Sequence, residues 1–175
     1  MVLKNILDMV HESDVCVREN FNHWNIRPVM RVLVQRVKEA RVEVEQKVVG
    51  EIGPGLLLLV GLGKKDNQKT LAEMAKKAAN LRIFSDEQGR FQHSVLETEG
   101  AVLAVPQFTL FAETSKGRRP EFFSALAPAQ ARPLSQKFLD YLRAEGIKQV
   151  ESGEFGADMQ VSLVNDGPVT LMLEL

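Results

Sequence analysis

Residues 161–173, VSLVNDGPVTLML, read as two strand-like runs, Val161–Val164 and Val169–Leu173, joined by Asn165-Asp166-Gly167-Pro168. Asp-Gly is a common hairpin-turn signal. A proline directly after that glycine has no N–H to give to a ladder, and it stands where the second strand would begin. Two readings stay open. The segment is a tight turn between strands, or its Gly-Pro backbone is itself a functional unit. Glycine relaxes the usual restriction on the residue before proline. A fixed Gly-Pro unit at a strand end presents two carbonyls in a defined direction, with no side chain on the glycine to obstruct them.

The chain around this stretch is rich in strand patterns. From Met30, MRVLVQRV alternates in part and ARVEVEQ alternates strictly, with Val42 and Val44 on one face and Glu43 and Glu45 on the other. LLLLVGLG (56–63) is a short apolar run that suits a buried strand. The spacing of Leu71, Met74, Ala75, Ala78 and Leu81 predicts a helix over 67–81, and that of Leu134, Phe138, Leu139 and Leu142 a second over about 129–145, stopped by Gly146. SDEQGR (85–90) is a turn, AVLAVPQFTLF (101–111) another buried run, and the C-terminal part is strand-rich. Strands, helix, strand, helix, strands is not the alternation of a doubly wound sheet. The expected fold is α/β: a mixed, largely antiparallel sheet closed as a barrel, with two helices packed outside.

Residues 1–29 differ from the rest. They hold the single cysteine (Cys16), the single tryptophan and two of the three histidines, and Leu3, Ile6, Leu7 and Val10 have helical spacing. The division expected is an atypical N-terminal extension, 1–29, and one domain, 30–175, with Met30 as an alternative initiator and the extension a misassigned start or leader. The chain of 175 residues with 45% hydrophobic and 26% charged residues is ordinary for one globular domain. A net charge of −1 excludes a general polyanion binder, so any nucleic-acid contact needs a local basic patch. One cysteine excludes an internal disulfide framework, and no run reaches the length of a membrane span. A cytoplasmic protein is expected.

Conventional catalytic equipment is scarce. His11, His23 and His93 are scattered, no Cys/His spacing suits zinc, and there is no G-x-S-x-G elbow or P-loop. His93 reads as a loop or surface residue. No metal and no cofactor are expected. In VPQFTLF (105–111), Phe108 and Leu110 fit a buried strand, but Pro106, Gln107 and Thr109 are costly there. They fit better where a strand leaves its sheet and exposes backbone N–H groups, which is what an oxyanion requires. TSKGRRP (114–120) puts Lys116, Arg118 and Arg119 around one glycine. It is a solvated loop or a phosphate contact.

PQFTL at 106–110 and NDGPVT at 165–170 together resemble the two signature segments of the D-aminoacyl-tRNA deacylases, Ser-Gln-Phe-Thr-Leu and Asn-x-Gly-Pro-Val-Thr. LVQRVKEARVEVEQKVVGEIGPGLLLLVGL (33–62), KGRRPEF (116–122) and FGADMQVSLVNDGPVT (155–170) are also family-like, so the resemblance runs from Met30 to Leu175. Pro106 stands where the family usually has serine, as in the related animal-type deacylases, whose second motif differs. The resemblance implies a homodimeric hydrolase that cleaves the ester between a D-amino acid and the terminal adenosine of tRNA, and that also acts on glycyl-tRNA. It implies that Gly167-Pro168 is cis and enters the partner subunit's site as a chiral filter, flanked by Pro106, Val169 and Thr170 and braced by Arg36. A backbone filter suits the task, because rejected L-side chains differ too much for side-chain complementarity. On this resemblance the N–H groups of Phe108 and Thr109 receive the oxyanion, Gln107 orients the terminal ribose, and that ribose's 2′-hydroxyl assists water. Thr109 as nucleophile remains an alternative. Phe155, Gly156 and Met159 line the adenine pocket. The rival expectations are a non-catalytic tRNA or nucleic-acid-binding module and a small-molecule D-amino-acid esterase.

Overall fold

The computed structural model describes residues 29–175. The expected N-terminal helix, Cys16, His11 and His23 lie outside the described residues. Eight strands and two α-helices follow in the order β1 (Arg31–Val44), β2 (Lys47–Ile52), β3 (Gly55–Gly61), α1 (Gln68–Ala79), β4 (Phe84–Ser85), β5 (Phe91–His93), β6 (Ala101–Pro106), α2 (Pro128–Ala144), β7 (Val150–Ser152) and β8 (Gln160–Glu174). A 3₁₀ turn, Phe108–Phe111, follows β6. Among the described residues no helix is long and apolar enough to cross a membrane.

The main sheet runs β2-β1-β3-β6-β7, with β8 on the other side of β1. β1 pairs antiparallel with β2, β3 and β8, whereas β3–β6 and β6–β7 are parallel, so the sheet is mixed. The unbroken leucine run of β3 is explained by apolar layers on both faces. Leu56 and Leu58 join a core with the helices, while Leu57 and Leu59 point to a second core inside the curled sheet. β6 divides in the same way, with Val102 and Ala104 against the helices and Leu103 and Val105 inside. The ends of the strand order approach each other. A β-carbon on Gly50 would come within 2.6 Å of the Ser152 carbonyl, and the Gln149 amide donates to the Glu51 carbonyl at 3.2 Å. The barrel is thus nearly closed, its last gap narrowed by a glycine on β2.

Both helices cover the same face. α1 buries Leu71, Met74, Ala75, Ala78 and Ala79, and its N-cap Asn67 accepts the Lys69 and Thr70 N–H groups at 2.9 and 3.3 Å. α2 buries Ala131, Phe138, Leu139 and Leu142. It starts on Pro128, which suits a first helical position, so Pro133 lies inside the helix. His93 ends β5 and is half-buried.

The stretch 161–173 differs from the hairpin reading. It belongs to one 15-residue strand, β8, both halves of which pair with β1. Gln35 faces Thr170 and Val37 faces Asn165, so the single residue Arg36 stands opposite the four residues Asp166–Val169. Asp-Gly therefore opens an oversized bulge rather than a reversal. β1 supplies the reason: it is long enough to template both halves, which a hairpin would have folded onto each other.

Candidate active site

The bulge is built from β1 and β8 together. Arg36 is only 9% exposed. Its Nη1 donates to the Ile83 carbonyl at 2.5 Å, its Nε lies 3.0 Å from Asp166 Oδ2, and its guanidinium sits 5.6 Å from the Phe91 ring centroid. The neck of the bulge is tied by Thr170, whose Oγ1 accepts from the Asn165 amide (2.9 Å) and the Gln35 amide (3.3 Å). Val169 is buried in the core with the helices. Gly167 has φ +120°, and a β-carbon there would lie 2.8 Å from Val169 Cγ2 and 3.0 Å from Arg36 Nη2. Only glycine fits. The Gly167-Pro168 bond is cis, and both residues are exposed.

The second motif segment lies at the end of β6. The strand stops at Pro106 and turns into the 3₁₀ segment, so VPQFTLF leaves the sheet, the sharper of the two readings. The Gln107 N–H donates to the Val60 carbonyl (2.7 Å), and Arg31 Nη1 donates to the Leu110 carbonyl (2.8 Å) while its guanidinium lies 5.0 Å from the Phe111 ring centroid. The turn is held from β3 and β1. Among the described residues, neither the Phe108 nor the Thr109 N–H has a backbone acceptor, as expected at the start of a helical turn. The Gln107 amide donates to the Thr109 hydroxyl. No carboxylate or imidazole is hydrogen-bonded to that hydroxyl among the described residues.

Beside this turn opens a largely apolar cleft of about 720 Å³. Pro106, Gln107 and Phe108 line one part of it, and Phe155, Gly156 and Met159 another. The structure thus brings together two groups that lie about 50 residues apart in sequence. Phe122 and Phe123 complete a rim, with Phe108 and Phe122 edge to face at 5.0 Å and 69°. These two aromatics were not picked out from the sequence. Their signal was a Phe-Phe pair beside a basic loop, which is unusual for a solvated segment. Phe108 and Phe123 are among the most exposed large apolar residues of the described chain, at 58% and 73%.

Lys116, Arg118 and Arg119 are exposed and do not line the cleft. Their loop is pinched by reciprocal Glu113–Glu121 backbone hydrogen bonds of 2.8 and 2.9 Å, directly before the Phe122 rim. Lys64 is the basic residue in the cleft lining. Gly167, Pro168, Val169, Thr170 and Arg36 are not brought into this cleft within one chain. Among the described residues no group of three or more His, Cys, Asp or Glu gathers as a metal set. Among the described residues the one strongly raised carboxyl is Asp66, near the end of β3. Burial pushes it up to about 6, against the lowering effect of the Gly63 and Met30 N–H groups.

Comparison with known proteins matches the whole of this architecture. The profile of the family described as D-Tyr-tRNA(Tyr) deacylase matches residues 33–174. A D-aminoacyl-tRNA deacylase of Shouchella clausii is 51% identical over 145 residues, covering 83% of this chain and 99% of the relative. That of Thermosipho africanus is also 51% identical over 145 residues, covering 83% and 97%. The solved structure of a c-Myc DNA Unwinding Element Binding Protein superposes with TM-score 0.78 at 40% identity, covering 83% of this chain and 98% of that one. A probable eukaryotic D-amino acid tRNA deacylase shares the fold, with TM-score 0.76 at 21% identity over 84% and 100%. With both motif segments in place on this barrel, the chain belongs to the D-Tyr-tRNA(Tyr) deacylase family.

Proposed function

We infer that this protein hydrolyses the ester bond of D-aminoacyl-tRNA, releasing the free D-amino acid and tRNA. Beyond family membership, one observation carries the reading. Two backbone N–H groups without backbone acceptors among the described residues, those of Phe108 and Thr109, belong to one turn whose first residues line an apolar cleft large enough for a nucleoside. An aminoacyl ester is already reactive, so positioning and oxyanion stabilisation suffice without a nucleophilic triad. In the proposed complex the terminal adenine rests against Phe155, Gly156 and Met159. The ester carbonyl points at the Phe108 and Thr109 N–H groups, Gln107 orients the ribose, and the ribose 2′-hydroxyl assists water. Lys116, Arg118 and Arg119 meet tRNA phosphates.

The chiral filter is proposed to be the Gly167-Pro168 bulge, delivered by a second copy of the chain. In support, the bulge is exposed, lies outside its own chain's cleft and is rigidly held by Arg36 and Thr170. β8 is moreover a long strand that pairs only with β1 among the described residues, and it carries exposed Val164, Leu171 and Met172. The Gly167 and Pro168 carbonyls would capture the substrate amino group and crowd the L-side of the α-carbon, so glycyl-tRNA passes. Residues 30–175 are proposed to carry the activity, in the cytoplasm, with residues 1–29 dispensable.

Subunit mixing tests the assembly. A Gln107→Ala chain should be inactive alone and a Gly167→Ala chain poorly selective alone; mixing the second with an excess of the first should restore the ratio of D- to L-deacylation, through one intact composite site per heterodimer. No recovery, with heterodimers present, contradicts a shared site. The nucleic-acid-binding reading is favoured by the similarity to a protein named for DNA binding. It predicts salt-sensitive binding with the ester left intact, and D-tyrosine release from D-tyrosyl-tRNA excludes it.

A further inference from the structure

Arg132, on α2, belongs to no motif, yet it makes two contacts to one residue of the proposed adenine pocket. Its Nη2 donates to the Phe155 carbonyl at 3.1 Å, and its guanidinium carbon lies 5.1 Å from the Phe155 ring centroid. Phe155 lines both the 720 Å³ cleft and a second cavity of about 260 Å³, whose lining includes Arg132, Gln136, Ser152 and Glu154. A ring that borders two cavities lacks close packing toward both of them. Arg132 lines the smaller cavity and not the cleft.

We propose that Arg132 is a positioning residue for the terminal nucleoside: it clamps the ring and the backbone of Phe155 from the smaller cavity, so that the face offered to the base is set before substrate arrives. The proposal rests on the reading of Phe155 as the adenine platform. The residue type fits the task. A planar guanidinium lies over a ring and donates an N–H to the carbonyl of the same residue together, whereas an ammonium serves one partner at a time. Free rotation of Phe155 would be a cost deducted from binding, and removing it in advance strengthens the complex without touching the reacting atoms.

The test is single-turnover deacylation of D-tyrosyl-tRNA over a range of enzyme concentrations, with Arg132→Leu, Arg132→Lys, Phe155→Leu and the Arg132→Leu/Phe155→Leu pair, beside thermal unfolding of each. Loss of an exposed cation–π contact and one hydrogen bond should raise the half-saturating concentration about fivefold in Arg132→Leu. The limiting rate and the unfolding temperature should stay near wild type. Arg132→Lys should recover little of the loss, and Arg132→Leu should add nothing further once Phe155 is leucine. Full recovery by lysine, or an equal added loss in the Phe155→Leu background, would make Arg132 a direct charge contact to RNA and overturn the positioning role. If Phe155→Leu raises half-saturation and Arg132→Leu does not, Arg132 has no such role while the platform stands. If Phe155→Leu itself changes nothing, the platform reading falls and the clamp falls with it.

Discussion

Alanine at position 167 asks the bulge of β8 to accept a side chain it has no room for. Gly167 has φ +120°, a region that costs an L-residue roughly 1–3 kcal/mol. The added carbon would sit 2.8 Å from Val169 Cγ2, closer than real β-carbons approach, and 3.0 Å from Arg36 Nη2, tighter than most of their contacts. Neither neighbour yields easily. Val169 is packed in the core, and Arg36 is fixed by the Ile83 carbonyl and Asp166. With an overpacking cost of about 1–3 kcal/mol added, the native bulge is disfavoured by about 3 kcal/mol in Gly167→Ala. Because the bulge is exposed, the chain has a cheaper way out than unfolding: it moves the bulge and keeps the barrel. The unfolding temperature should therefore fall by less than the roughly 6–12 °C that 3 kcal/mol would bring if lost globally. Chirality should suffer most. Paired assays of D- and L-tyrosyl-tRNA should show the ratio of D- to L-deacylation falling at least tenfold. An alanine variant with wild-type stability and an unchanged ratio would refute the geometry from which the filter is derived.

Thr109→Ala should lose less than about tenfold in single-turnover rate, because the N–H and not the hydroxyl is assigned to the oxyanion, while Thr109→Pro, which removes that N–H, should lose about 10²–10³-fold. A loss of that size in the alanine variant would favour Thr109 as nucleophile. Replacing Lys116, Arg118 and Arg119 together by glutamine should raise half-saturation and flatten its dependence on log salt by up to about 2, at about 0.7 per lost single-strand phosphate contact, without altering the limiting rate. Asp66, raised to about 6 mainly by burial, holds a proton in the folded chain that it gives up in the unfolded one between its ordinary value and 6. Its contribution thus weakens the fold as pH rises through that window. The group is only half-buried, so solvent screening reduces the effect to about 1 kcal/mol. Asp66→Asn should remove that amount of pH dependence from urea unfolding relative to wild type, and an identical profile for the two proteins would contradict it.

Local patterns were legible wherever one chain segment decides its own environment. The stripe of Leu71, Met74, Ala75 and Ala78 faces the core as its spacing requires, capped by Asn67. The leucines of β3 needed only the rule that an unbroken apolar run implies cover on both faces. Pro106, Gln107 and Thr109 marked a strand leaving its sheet because each is costly inside one, and β6 ends there. The bulge was not legible. Asp166-Gly167 carries the same local signal whether the chain reverses or merely bows out, and the decision belongs to β1, whose length pairs with both halves of β8. The same holds for Arg31, Phe122, Phe123 and Arg132. Their parts in the site depend on contacts across the fold, such as Arg31 to Leu110 and Arg132 to Phe155, for which no spacing rule exists.

The most direct test of the account is deacylation of D-tyrosyl-tRNA, L-tyrosyl-tRNA and glycyl-tRNA side by side, with the chain begun at Met1 and at Met30. The account predicts rapid loss of the D-ester, measurable loss of the glycyl ester and survival of the L-ester, with the same pattern for both starts and with Pro106 in place. Equal loss of the D- and L-esters would contradict the backbone filter. Survival of all three while tRNA still binds would contradict the enzyme itself.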